Sequence, residues 1–547
     1  MLLVLSAAAA VGYAAYSHQR GAGDATSSRL EIPYAYSQNQ EDLLLPLIRQ
    51  FNDEHHPSGA KTIAVVGQSI SSGDAEAQIA ARTLHTTIWS PASSLWGQLL
   101  DYEADATWAS RGNPALVRTP LVVAMWKPEA QALGWPRKRI GFAQILALAT
   151  SRTGWAAYGL PTFGSFKLGH TNPDFSTSGL SFVAAQYYTA TGKVNALTEA
   201  DIDLPAVRNK VRRVQQSIVH YGDTGSFFVD QLKAHGPGYI SAVAMEEVTM
   251  LDYNRTKAAG SLPLVAVYPA EGTFFFDNPL ITLRAPWVTR AQAHAAGVFE
   301  KWVVAHVTPA LAAKYGYRPG NPKQLPVAPI DRAHLVDAAE PRVVLGLPEP
   351  RVLAKIRRAW HDDRKAANVA IVVDVSGSMQ EKSKLRLAQQ GLQVFLRQFS
   401  PRDRVGLLTF SDGVSSIVPV APMATNRSPL ISAVDNLVAG GGTAVYDATL
   451  RGVDAISALA DRTRINAVVV LTDGADNESH IDSSRLIARL RQLSERQEGN
   501  VRVFTIAYGG GAEADVLDKI ATASGGKGYG GDPAEIASVY RQISSFF

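Results

Sequence analysis

Cysteine is absent from the 547 residues. With it go disulfides, thiolate metal sites, cysteine nucleophiles and an N-terminal lipid on cysteine. A chain exported without cysteine holds its domains together by core burial alone. Charge is sparse as well, at 19% of positions, against about 25% in average soluble domains. Glycine (44) and proline (29) stand at ordinary levels, which excludes collagen-like and disordered chains, and no internal repeat is visible. Lys and Arg exceed Asp and Glu by only 53 − 49 = 4. Spread over this length, that excess is too thin for a nucleic-acid partner. A Gly-Lys-Ser/Thr phosphate loop, a serine nucleophile elbow and a His-Glu-x-x-His helix are all missing. No catalytic residue is assigned, and the chain is read as a binding protein rather than an enzyme.

Long apolar runs are scarce too. Residues 1–16, MLLVLSAAAAVGYAAY, are apolar throughout and lead into a polar Gly/Ser stretch ending at Ser28. As a helix they would span about 24 Å, short of the roughly 30 Å of a bilayer core. No Lys or Arg precedes them. Residues 1–28 are read as a signal anchor or signal peptide with its linker. The expected location is therefore the extracytoplasmic side of the cell membrane, either anchored or secreted.

The remaining length suits two to four domains. Pro322, Pro326, Pro329, Pro341, Pro348 and Pro350 mark a connector over 326–365. Such a run disfavours helix and sheet ladders and predicts a semi-rigid extended spacer. A helix over 351–365 follows, with Val352, Ile356 and Trp360 on one face. From Val369 onward, apolar strands (AIVVDV, VGLLTF, AVVVLT, VFTIAY) alternate with amphipathic helices. That alternation predicts a parallel sheet covered on both faces, a doubly wound, Rossmann-like α/β domain over 366–547.

Ligands on such sheets sit beyond the carboxyl ends of the strands. There the sequence places Asp374, Ser376 and Ser378 after the first strand, Gly440-Gly441-Gly442-Thr443 before a helix, and Asp473 after a later strand. Two carboxylates and three hydroxyls are hard oxygen donors that suit Mg²⁺ or Mn²⁺ and leave a coordination position open. In this order and frame, Asp374, Ser376, Ser378, Thr443 and Asp473 resemble the metal-ion-dependent adhesion site of von Willebrand factor type A domains. The resemblance implies a protein ligand that presents an acidic residue to the ion. It also implies that Thr443 touches the ion directly only when that ligand is bound. Asp412, Gly413, Asp476 and Asn477 are expected to rim the site.

Between 29 and 325, three hydroxyl-rich loops precede helices. They offer Ser69, Ser71 and Ser72, then Ser93 and Ser94, then Ser176, Thr177 and Ser178. Helix N-termini present unpaired N–H groups, so these residues are candidate ligand donors, with ordinary N-capping as the alternative. Trp89, Trp96, Trp126 and Trp155 are either stacking surfaces or core. The segments EIPYAYSQNQEDLLLPLIRQFN, TPLVVAMWKP, HTNPDFSTSGL and VAVYPAEGTFFFDNPLITL resemble bacterial periplasmic substrate-binding proteins. This implies two α/β lobes, about 30–118 with 265–325 and about 119–264, holding a small polar solute or an oxyanion in the cleft between them. As a whole, the chain resembles bacterial extracellular proteins that join a substrate-binding domain to a von Willebrand type A domain. A solute-binding component of an ABC-type transport system is the alternative reading.

Overall fold

The strand Ala367–Asp374 is buried at every position, and this decides its place at the centre of a sheet. In the computed structural model, which describes residues 29–109, 112–495 and 501–547, it pairs in parallel on both sides. The sheet runs Val414–Pro422, Arg404–Phe410, Ala367–Asp374, Ile465–Thr472, Val501–Tyr508, Gly528–Gly531. All neighbours are parallel except the first strand, an antiparallel edge that the sequence reading missed. Its alternating, half-exposed pattern gives no continuous apolar run. A single 3₁₀ turn at Pro533–Glu535 precedes the α-helix Ile536–Ser544.

The N-terminal part holds two sheets. The first orders Ile281–Thr282, Ile88–Ser90, Arg29–Tyr36, Lys61–Ser69 and Pro57–Ser58. The second orders Phe275–Phe276, Val117–Trp126, Ala242–Glu246, Leu168–Thr171 and Ile218–Gly222. Val117–Trp126 links the two, and Leu264–Val267 pairs with it antiparallel, Val123 opposite Val267. The expected return to the first lobe at 265 is therefore corrected. Residues 264–276 stay in the second sheet, and the chain re-enters the first at Ile281. The lobes touch backbone to backbone, where the Gly73 N–H donates to the Phe175 carbonyl at 3.0 Å. A Cβ on Gly73 would stand 1.9 Å from the Asp174 carbonyl oxygen, so only glycine permits this approach.

The Pro-rich connector is not a free spacer. The Thr273 N–H donates to Val343, Leu345 donates back to Thr273, and Gly346 donates to Val194. Arg318 secures the strap from below. It is bidentate to the buried Glu247 at 2.8 and 2.7 Å and donates to the carbonyls of Asp337, Ala338 and Glu340. The strap is docked because its backbone groups find partners here that an extended spacer would give to water.

The helix Pro350–Asp363 then joins all three parts. Arg357 reaches Glu76 of the first lobe (3.3 Å) and Asp174 of the second (3.4 Å). Trp360 is buried against Tyr221, and Asp363 holds Arg208 and Arg212. On the C-terminal side, Lys527 pairs with Asp223 at 2.6 Å, and Phe546 packs edge-on against Phe227. The Lys527–Asp223 pair lies at the amino end of the strand Gly528–Gly531.

Glu129 has both carboxylate oxygens buried without a partner, and burial raises its pKa from 4.5 to about 9. The folded state therefore holds a proton that the unfolded chain has released. Glu129 favours folding in acid, and that contribution is lost as pH climbs from 4.5 to about 9. The Glu129→Gln protein should lack this part of the decline, up to about 1.4 kcal/mol per pH unit. Denaturant midpoints across that range for both proteins are the check; parallel profiles would refute it.

Candidate metal centre

Two carboxylates define the carboxyl edge of the C-terminal sheet. Asp374 is 0% and Asp473 1% exposed. Each ends a central strand, and the strands are paired in parallel, which brings the two acids together. Asp374 is pinned twice: Oδ1 accepts the Ser376 N–H (2.8 Å) and Oδ2 accepts the Thr472 hydroxyl (2.6 Å). Burial pushes its carboxyl above the ordinary range, against those two donors, and the nearby Asp473 charge adds to the rise. The Ser376 and Ser378 hydroxyls stand 3.0 Å apart, and Ser378 donates to Asp473 Oδ1 at 2.7 Å.

Thr443 arrives from across the sheet. Gly441 takes φ +86°, a left-handed turn that glycine adopts without strain, and its carbonyl accepts the Gly377 N–H at 2.9 Å. The Thr443 N–H donates to Asn477 Oδ1 (2.7 Å), and the Gly442 N–H donates to Asp412 Oδ1 (2.5 Å). Asp476 accepts from Tyr446 N–H and the Ser479 hydroxyl. Three of the residues expected on the rim thus brace the loop that carries Thr443. A Cβ on Gly474 would lie 3.4 Å from Thr443 Oγ1 and 3.9 Å from Ser378 Oγ, so both hydroxyls flank this glycine.

These distances suit a hard cation. Bonds of about 2.1 Å in an octahedron set neighbouring oxygens about 3.0 Å apart, matching the Ser376–Ser378 and Ser378–Asp473 separations. Among the described residues no three His, Asp or Glu side chains gather as a metal site, so an ion held here would have to take its remaining donors from hydroxyls. Two participants were missed by sequence reasoning. Thr472 precedes Asp473 on a buried strand and reads as core. Lys384 opens the next helix, and its Nζ lies 2.5 Å from Asp473 Oδ2. Neither role has a sequence signal, because Thr472 reads as core and Lys384 is one of three cations with Lys382 and Arg386 in that stretch.

Lys384 balances part of the charge that a divalent ion would neutralise. A charge-assisted bond of this kind contributes about 1.5–3 kcal/mol. Lys384→Met should lower metal-free stability by roughly that amount and tighten Mn²⁺ binding by about tenfold. Thermal melts without metal and calorimetric titration test both halves; unchanged values in both would remove Lys384 from the site.

In the N-terminal domain, a cleft of about 490 Å³ opens between the lobes. Ser71, Ser72, Ser176, Thr177 and Ser178 line it, whereas Ser69, Ser93 and Ser94 do not. Ser93 is buried, and the Ser94 N–H is taken by Asp277 at 2.8 Å, because their loop faces the first-lobe core. The cleft hydroxyls are already engaged. Ser71 caps Asp74 N–H, while Ser176 and Ser178 bond Thr171 and each other. Trp89, Trp96, Trp126 and Trp155 are core, each no more than 1% exposed. The wall is acidic, with Glu41, Asp42, Asp223, Glu246 and Asp252 against Arg49 and Arg255.

Residues 368–530 match the von Willebrand factor type A domain. The fold is thus mixed α/β with a VWA domain at its C-terminal end. Over 164 residues the chain is 27% identical to inter-alpha-trypsin inhibitor heavy chain H4 of Sus scrofa, covering 29% of this chain and 17% of that one. Over 161 residues it is 30% identical to calcium-activated chloride channel regulator 1 of Bos taurus, covering 29% and 16%. The chain therefore spans less than a fifth of the length of these relatives. Among solved structures, the periplasmic binding protein P5PA is 13% identical with a TM-score of 0.42, over 62% of this chain and all of that one.

Proposed function

We propose that the VWA domain is a metal-dependent docking module. Asp374, Ser376, Ser378, Thr443 and Asp473 would hold Mg²⁺ or Mn²⁺, and the ion would supply an electrophilic position for an acidic side chain of a protein partner. The observation that carries this reading is the Ser376–Ser378–Asp473 oxygen cluster, at 3.0 and 2.7 Å, on the carboxyl edge of the C-terminal sheet. Ser376 and Ser378 contribute neutral donors, so Asp374 and Asp473 balance the ion's two charges without exceeding them, and the Lys384 ammonium leaves the site net positive. Asn477 and Asp412 hold the Thr443 loop in place for contact from outside.

The two lobes, joined through Val117–Trp126 around the cleft, support a solute-receptor role for residues 29–325. The extracytoplasmic side of the membrane is the location proposed for the chain, with residues 1–28, which lie outside the described residues, as its tether or export signal. Among the described residues no helix is long and apolar enough to cross a membrane. No catalytic constellation is assigned, and the role proposed is binding. Delivery of solute to a permease is the second reading, favoured by the same cleft.

The test is a pull-down from native extract with the full chain. Partners should be lost on chelation, restored by Mg²⁺, and weakened by Ser376→Ala and Thr443→Ala. Partners retained through both chelation and substitution would overturn the docking role.

A further inference from the structure

Two acceptors meet at the floor of the cleft without enough donors. Glu246 ends the second-lobe strand Ala242–Glu246, lines the cleft and is 7% exposed. Its carboxylate accepts from Asn39 Nδ2 of the first lobe, and among the described residues no cation lies within ion-pair distance of it. Asn39 lines the same cleft, and its Oδ1 is buried with no hydrogen-bond partner. Buried carboxylates are ordinarily paired, and buried acceptors ordinarily have donors. Here one side chain lacks a counter-charge, the other lacks a donor, and they adjoin.

The other charges do not supply the deficit. Arg255 is committed to Asp252 at 2.6 Å, and Asp223 is committed to Lys527 at 2.6 Å. Glu41, Asp42 and Glu246 then face Arg49 alone, so the cleft remains acidic. An oxyanion would meet repulsion from this wall, and the hydroxyls that could receive it are already bonded locally. A neutral polyol would satisfy Asn39 but leave Glu246 without a counter-charge. An ammonium or guanidinium group carries donors only and a positive charge, and meets both needs at once.

We propose that the interlobe cleft binds a small organic cation, with its ammonium or guanidinium group against Glu246 and Asn39 Oδ1. The assignment rests on the receptor reading of residues 29–325 and names the ligand class for that cleft. It replaces the oxyanion expected from the Ser-rich loops. The volume of about 490 Å³ falls in the range of small-molecule sites.

The experiment is calorimetric titration of the full chain with three sets of probes: putrescine, agmatine, lysine and arginine; glucose and inositol; phosphate and sulfate. At least one cation should bind saturably. Binding should fall at least about 30-fold in Glu246→Gln, as loss of a buried charge partner implies. It should fall severalfold in Asp42→Asn, which lies exposed in the first turn of the helix Glu41–Asp53 and leaves the fold intact. Cation binding that is undiminished in both cleft variants would overturn the proposal. Binding of the sugars or anions alone would overturn the ligand class while leaving the receptor reading standing. No binding from any of the three sets would remove both.

Discussion

Replacing Asp473 with alanine should abolish metal-dependent binding while leaving the domain folded. Asp473 supplies one of only two formal negative charges in the oxygen cluster, and it receives both Ser378 and Lys384. Without it, the Lys384 ammonium faces the cation position unopposed, so electrostatics turns from attraction to repulsion. Loss of groups that merely orient metal ligands costs 10–100-fold in affinity. For a ligand whose loss also uncovers a positive charge, at least about 100-fold is expected. Folding should survive because Asp473 stands past the end of the strand Ile465–Thr472, outside the apolar contacts of the core. The measurements are Mn²⁺ titration of the full chain and its thermal midpoint. A parent-like titration would show that these oxygens are not the metal site, and a collapsed midpoint would make Asp473 structural.

The second large effect is expected far from that edge. Arg318→Met should destabilise the N-terminal domain by about 3–5 kcal/mol, the usual result of leaving one member of a buried ion pair alone. Arg318 is 6% exposed and Glu247 0%, so water cannot take over the lost bonds. The same substitution frees the carbonyls of Asp337, Ala338 and Glu340, which loosens the strap as well. For domains of this size the midpoint should drop by roughly 6–10 °C. The double variant Arg318→Met, Glu247→Leu should recover much of the loss, because the uncompensated charge is gone. A single variant that melts with the parent would show that the strap holds without its anchor. Proteolysis within 326–349 would report the loosening directly.

The C-terminal domain was legible because its signals are local. Strands buried on both faces read as continuous apolar runs, and four of the five oxygen donors lie within a few residues of strand ends, with Thr443 two residues before the helix Val445–Ser457. Sequence periodicity carries both kinds of information. The edge strand Val414–Pro422 escaped notice because one of its faces meets water and its register is irregular. Thr472 and Lys384 escaped because their roles depend on what stands opposite them. Neither residue type, at its position, differs from ordinary core or helix surface.

In the N-terminal domain the resemblance to substrate-binding proteins implied two α/β lobes, and the local residue pattern marked the Ser-rich helix starts. Which of those serines face the cleft depends on folding, because Ser93 and Ser71 share a local pattern but point to different neighbours. The sign of the cleft was likewise a tertiary matter. Glu41 and Glu246 come from segments some 200 residues apart, and their charges add only where folding brings them to one wall. The connector shows the same division: its prolines exclude helix and sheet, yet its docking depends on Arg318 and Thr273 reaching it from elsewhere. A residue's own chemistry is written in the chain. Whether that chemistry is satisfied, opposed or left open is set by the groups that folding places against it.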